Sequence, residues 1–192
     1  MNDKQSLRFQ LRKRRKGFEK DHVFWQEPFA LLPAPFRLTV ENAQTVAGYI
    51  RTGSEVDASA LLAAIERLGK SIALPWLSGR SASLVFREWA QNQPLETAPF
   101  GFQQPLASSL PSTPDLILTP LVGFDRALNR LGQGAGHYDR VFAEHPASLR
   151  IGLAWSVQEC QSLSTDPWDV PLDAILTEKE WITSPQSRIK SI

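Results

Sequence analysis

The chain has 192 residues, 42% of them hydrophobic and 21% charged, with a formal net charge of +1; this is the make-up of one globular domain, too short for two large cores. No apolar run approaches the roughly 20 residues that span a bilayer, and the first residues are charged rather than apolar, unlike a secretory leader. Cys160 is the single cysteine, which excludes an internal disulfide and a cysteine-built metal cluster, so a cytoplasmic protein is expected.

Residues 4–18 place Leu7, Leu11 and Phe18 on one helical face and spread cations over the rest. Residues 1–20 carry eight lysines and arginines against Asp3 and Glu19, so a basic arm of about +6 sits on a body of about −5. Such an arm suits an anionic partner, whether nucleic acid, an anionic membrane or a nucleotide, and charge alone equally allows a solvated helix face. Residues 45–51 read as a buried strand. Asp57 or Ser59 can cap a helix with the stripe Leu61, Ile65 and Leu68, which Gly69 stops.

Residues 71–75 and 83–87 read as short strands. Residues 93–114 hold five prolines and little periodicity, which predicts a long extended loop. Residues 115–119 are a buried strand, a helix is expected from near Gly136 to Glu144 ahead of Pro146, and 149–155 form another apolar strand. Strands alternating with helices predict an α/β layer fold with a mainly parallel sheet, in which ligands lie beyond the carboxyl ends of strands. No internal repeat or domain boundary is visible, so residues 1–192 are expected to form a single domain.

The densest chemistry lies at 120–140, where Gly132, Gly134 and Gly136 alternate between Arg130-Leu131 and Tyr138-Asp139-Arg140. Glycines at this spacing let main-chain N–H groups approach an anion closely, and Asp139 can hold a metal that bridges phosphates. Two familiar nucleotide signatures fail. Gly69-Lys70-Ser71 lacks the glycine a P-loop needs at Ala64, and Gly132-Gln-Gly134-Ala-Gly136 lacks the last glycine of a dinucleotide fingerprint.

Thr119-Pro120, Gly123-Phe124-Asp125 and then Asn129-Arg130-Leu131-Gly132-Gln133-Gly134-Ala135-Gly136-His137-Tyr138-Asp139-Arg140 resemble the ordered motif of the 5-formyltetrahydrofolate cyclo-ligase (5,10-methenyltetrahydrofolate synthetase) family. Lys4-Gln-Ser-Leu7-Arg8 resembles the family's N-terminal pattern, Tyr49-Ile50 with Glu55-Val-Asp57 its folate-facing strand and loop, and Trp168-Asp169-Val-Pro-Leu-Asp173 its closing motif. Three positions depart from the pattern: His137 for a tyrosine, Ala135 for a lysine, and Gln104 for a glutamate before the Pro105 loop.

The resemblance implies a three-layer, Rossmann-like open sheet flanked by helices. It also implies ATP- and Mg²⁺-dependent closure of 5-formyltetrahydrofolate to 5,10-methenyltetrahydrofolate through phosphorylation of the formyl oxygen. By the same resemblance, Lys4, Arg8 and Arg130–Tyr138 (Leu131, Gly132, Gln133, Gly134, Ala135, Gly136 and His137 between them) take ATP as cosubstrate. Ile50, Glu55 and Gln133–His137 take the folate, with or without a polyglutamate tail. Arg130, His137 and Tyr138 act on the reacting groups, and Asp139 with Asp169 holds Mg²⁺. A monomer with no nucleic-acid or membrane partner is expected. The departures leave a second reading, a folate- or nucleotide-binding protein of the same fold with little or no turnover. His22, His145 and Cys160 have no ligand-like spacing. The six tryptophans are expected in the core, with Trp76 and Trp89 toward the substrate side.

Overall fold

The computed structural model describes residues 3–25, 28–79 and 82–189. Its helices are α1 (Asp3–Phe18), α2 (Ala34–Asn42), α3 (Ser59–Arg67) and α4 (His137–Glu144). The first strands are β1 (Thr45–Ala47), β2 (Ser71–Trp76), β3 (Val85–Glu88), β4 (Leu95–Thr97), β5 (Gln103–Pro105) and β6 (Pro111–Ser112). They are followed by β7 (Leu116–Pro120), β8 (Gly123–Phe124), β9 (Arg130–Leu131), β10 (Leu149–Leu153), β11 (Ala174–Leu176) and β12 (Trp181–Ile182).

Strand residues alternate between two cores because successive side chains point to opposite faces. Val46, Ile72, Leu74, Leu116, Leu118, Ile151 and Leu153 pack on one face with Phe36 and Val40 of α2 and Leu61, Leu62 and Ile65 of α3. Ala47, Ala73, Ile117 and Ile175 pack on the other with Val141 and Phe142 of α4. Small residues on that second face make room: a Cβ on Gly152 would lie 2.7 Å from Leu121 Cδ1. The result is the expected three-layer α/β architecture. Its main sheet runs β12-β11-β10-β7-β1-β2-β3-β6, with the five strands from β11 to β2 parallel and antiparallel strands at both edges.

Several boundaries differ from the sequence reading. Strand β1 ends at Ala47, and Tyr49 and Ile50 leave the sheet at its carboxyl end. The residue preceding α3 is Ala58, while Asp57 Oδ1 accepts from Ser59 N at 2.9 Å; Gly69 closes the helix with φ +79°. Residues 93–114 are not a featureless loop, because β4 and β5 form a hairpin and β6 pairs with β3. Proline hides this pattern, yet the hairpin holds through Gln104. Buried at 2% exposure, its side-chain amide accepts from Leu77 N (3.0 Å) and donates to Leu77 O (3.3 Å) and to Glu96 Oε1 (3.0 Å). An amide serves both roles where an ionised carboxylate only accepts. No helix among the described residues is long and apolar enough to cross a membrane.

Candidate active site

Two chain directions diverge from β1: the chain steps to β2 and β3 on one side, then returns to β7 on the other and continues to β10 and β11. Open α/β sheets bind ligands at such a switch point, beyond the carboxyl ends of the strands. A cleft of about 650 Å³ lies there, lined by Ile50 after β1, Pro75 and Leu77 at the end of β2, Pro120 at the end of β7 and the whole glycine segment.

The glycine segment connects β9 to α4. Gly134 has φ +107° and Gly136, which precedes α4, has φ +64°, both in the left-handed region that a side chain resists. Gly132 has neither a positive φ nor a crowded Cβ direction. Leu131 is 4% exposed and packs its side chain with Leu11, Val122 and Leu163, which leaves little but its main chain for a ligand.

Helix α1 carries four cations at helical spacing toward this region, of which Lys4 and Arg8 line the cleft. Lys4 Nζ meets Asp166 Oδ2 at 2.6 Å and Asp169 Oδ2 at 3.3 Å, which raises its pKa. Arg8 Nε donates to Gly132 O at 2.8 Å, and Arg12 donates to Gln133 Oε1. Arg15 is 4% exposed; it donates to Leu121 O (2.9 Å) and Ser54 Oγ (3.1 Å), and desolvation lowers its pKa while Glu55 opposes the shift. The basic arm is therefore partly buried. Only its outward members remain a solvated face.

Glu55, itself buried, accepts from Thr52 N at 2.9 Å and from Gln133 Nε2 at 3.0 Å. Arg130 is covered on one side by the Phe142 ring, 4.6 Å from its guanidinium carbon, and donates to Asp139 and to Val170 O. Burial lowers its pKa, and Asp139 and then Asp169 oppose that shift. Asp139 thus pairs with Arg130 rather than with Arg140. Its Oδ1 also accepts from Val170 N at 3.5 Å, the residue next to Asp169. Of the carboxylates lining the cleft, Asp139 and Asp169 are of the kind that could hold Mg²⁺, which keeps waters and takes one or two protein carboxylates beside phosphate.

His137 stands at the first turn of α4. Its Nδ1 lies 3.0 Å from Arg140 Nη2, which can only donate, so Nδ1 is the acceptor and Nε2 carries the hydrogen. Nε2 is buried without a partner among the described residues. Tyr138 packs against Phe142 at 5.8 Å between centroids, and burial raises its pKa, so the hydroxyl keeps its proton.

All the expected site residues line this one cleft, Ile50 and Glu55 included. The sequence reading missed Asp166, Trp168, Phe100, Phe102 and Thr52 in its wall, the burial of Arg15 and the contact of the exposed Arg12 with Gln133. Helical spacing from Lys4 and Arg8 was the available signal for the arginines, and closeness to Asp169 the signal for Asp166 and Trp168. Trp76 and Trp89 do not line the cleft; Trp89 packs on the core and Trp76 lies under the Arg87 guanidinium. His22 stacks on Phe18, and Cys160 is half-buried with its pKa raised by burial.

The family model of the 5-formyltetrahydrofolate cyclo-ligase family matches residues 1–178. A 5-formyltetrahydrofolate cyclo-ligase of Haemophilus influenzae is 30% identical over 180 residues, 90% of this chain and 96% of that protein. One from Escherichia coli is 34% identical over 150 residues, 74% and 82% of the two chains. Among solved structures, the 5,10-methenyltetrahydrofolate synthetase of Aquifex aeolicus superposes with a TM-score of 0.74 at 26% identity, covering 98% of this chain and 96% of that one.

Proposed function

The chain belongs to the 5-formyltetrahydrofolate cyclo-ligase family, and from that membership we propose that it closes 5-formyltetrahydrofolate to 5,10-methenyltetrahydrofolate in the cleft described above, with ATP and Mg²⁺. The difficulty of this reaction is that a formamide oxygen is a poor leaving group. The γ-phosphoryl group moves from ATP to that oxygen, leaving ADP; N10 then attacks the activated carbon and loses its proton to solvent, and phosphate departs with the original formyl oxygen.

Transfer of this kind is mostly positioning and neutralisation of charge. The glycine segment offers main-chain N–H groups to phosphate oxygens, and Lys4, Arg8 and Arg130 supply positive charge around them. Magnesium, held by Asp139 and Asp169, would contribute further positive charge to the phosphates when bound. Glu55 and Ile50 hold the folate, with Gln133 between the two halves. The protonated Tyr138 hydroxyl and the Nε2–H of a neutral His137 are donors for the formyl end, and no protein nucleophile is required. Cytoplasmic residence, a monomeric state and acceptance of polyglutamylated folate belong to the same reading.

The single observation that carries the proposal is that cations from α1, the glycine segment and both acidic side chains line one cleft with Ile50 and Glu55. The test mixes purified protein with 5-formyltetrahydrofolate, ATP and Mg²⁺ and follows the near-ultraviolet absorbance of the methenyl product. Product that requires both ATP and Mg²⁺ is expected. Folate binding without product would point instead to a binding protein.

A further inference from the structure

The six tryptophans divide five to one. Trp155 is 2% exposed, Trp25, Trp89 and Trp181 pack against the core, Trp76 lies under a guanidinium, and Trp168 is 69% exposed. Leaving so large an apolar surface in water gains nothing for folding. Yet Trp168 lines the cleft, beside Lys4, Asp166 and Asp169.

Its main chain is held while its indole is not. Asp166-Pro167-Trp168-Asp169 forms a turn closed by Asp169 N donating to Asp166 O at 2.9 Å, with the proline at the position that suits its fixed φ. Asp166 N donates back to Asp169 Oδ2 at 2.9 Å, and Lys4 pins both carboxylates from α1. Among the described residues the indole makes no ring contact. A flat apolar face is thus presented from a braced turn, next to the cations proposed to take phosphates.

We infer that Trp168 is the stacking platform for the nucleotide base, a binding residue that sets affinity in the ATP half of the cleft. This rests on the ATP-dependent reading above. The ligand chemistry is a planar heteroaromatic ring attached to a polyphosphate: the phosphates face Lys4 and Arg8, and the ring lies on the indole. Every base has such a face, and stacking supplies affinity without reading base edges.

The test is calorimetric binding of ATP, inorganic tripolyphosphate and 5-formyltetrahydrofolate, each with Mg²⁺, to the full chain and to its Trp168→Ala and Trp168→Phe variants. Trp168→Ala should weaken ATP binding by roughly five- to 150-fold, while Trp168→Phe keeps most of it. Tripolyphosphate and folate affinities should stay within about twofold, since neither uses the platform. An unchanged ATP affinity in Trp168→Ala overturns the inference. So does a parallel loss for tripolyphosphate, which would mean the turn itself was disturbed. A loss confined to folate would assign the indole to the pterin instead. Failure of the unaltered protein to bind ATP at all would remove the ATP-dependent reading and this inference together, a result separable from the other three.

Discussion

Gln133 donates from Nε2 to Glu55 Oε1 at 3.0 Å while its own carbonyl oxygen accepts from Arg12, so one side chain of the glycine segment ties α1 to the loop that follows β1. Glu55 sits 6% exposed, with Arg15 as its nearby cation. Glu55→Gln keeps the shape and loses the charge. Steady-state kinetics should show the KM for 5-formyltetrahydrofolate raised about tenfold, as expected for a lost charge-assisted contact, with the KM for ATP nearly constant. An equal rise in both would remove Glu55 from the folate half.

Gly134→Val forces a branched side chain onto a φ of +107° and points it at Arg8, whose Cζ would lie 3.6 Å from the new Cβ. Turnover at saturating ATP should fall by roughly a hundredfold, because a small displacement of positioning groups is enough for a loss of that size. Thermal unfolding should register the backbone strain as a loss of about 1–3 kcal/mol, with the folded state still the major one at the assay temperature. Wild-type turnover would take the phosphates away from this loop.

Asp139→Asn keeps an oxygen acceptor for Arg130 and Val170 but removes the charge that offsets a guanidinium only 5% exposed. Urea unfolding should register a loss of about 1–2 kcal/mol. The Mg²⁺ concentration at half-maximal turnover should rise by roughly tenfold or more. If the Mg²⁺ titration is unaltered while stability falls, Asp139 is a partner for Arg130 and nothing else.

His137 has its pKa lowered from 6.5, first by burial and then by the Arg140 charge. The folded chain therefore takes up this proton at lower pH than the unfolded chain. Just below pH 6.5 the unfolded state binds more protons, so stability falls as pH drops through that value and levels off below the folded pKa. Arg140→Gln should raise the pKa in an NMR titration and flatten the acid slope. A titration midpoint at or above the ordinary value in the unaltered protein contradicts the assignment.

Local pattern made the central layers legible: the short apolar runs in 71–76 and 116–120, and the stop at Gly69, need no distant contact to be read. The β4–β5 hairpin was not legible, because Gln104 holds it through Leu77, 27 positions away. Strands β11 and β12 are short, and helix α2 opens at Pro33 without a side-chain cap, so tertiary packing rather than local signal selects them. At the site, motif order was enough to nominate Gly132–Asp139, Glu55 and Asp169. The charge pattern could not say that Arg15 turns inward, since its partners are a main-chain oxygen and a serine from two other segments. Nor does spacing reveal that Asp139 and Arg130 satisfy each other.

Lys4 reaches Asp166 and Asp169 across 162 and 165 positions of chain. Closing so long a loop carries an entropic cost that only near-complete folding offsets, and contacts of this separation form late. The sheet can assemble up to β10 before either aspartate has been made. During synthesis, then, the phosphate end of the cleft cannot be completed before residues 166–169 emerge, and a chain cut short after β10 would lack Lys4's anchors.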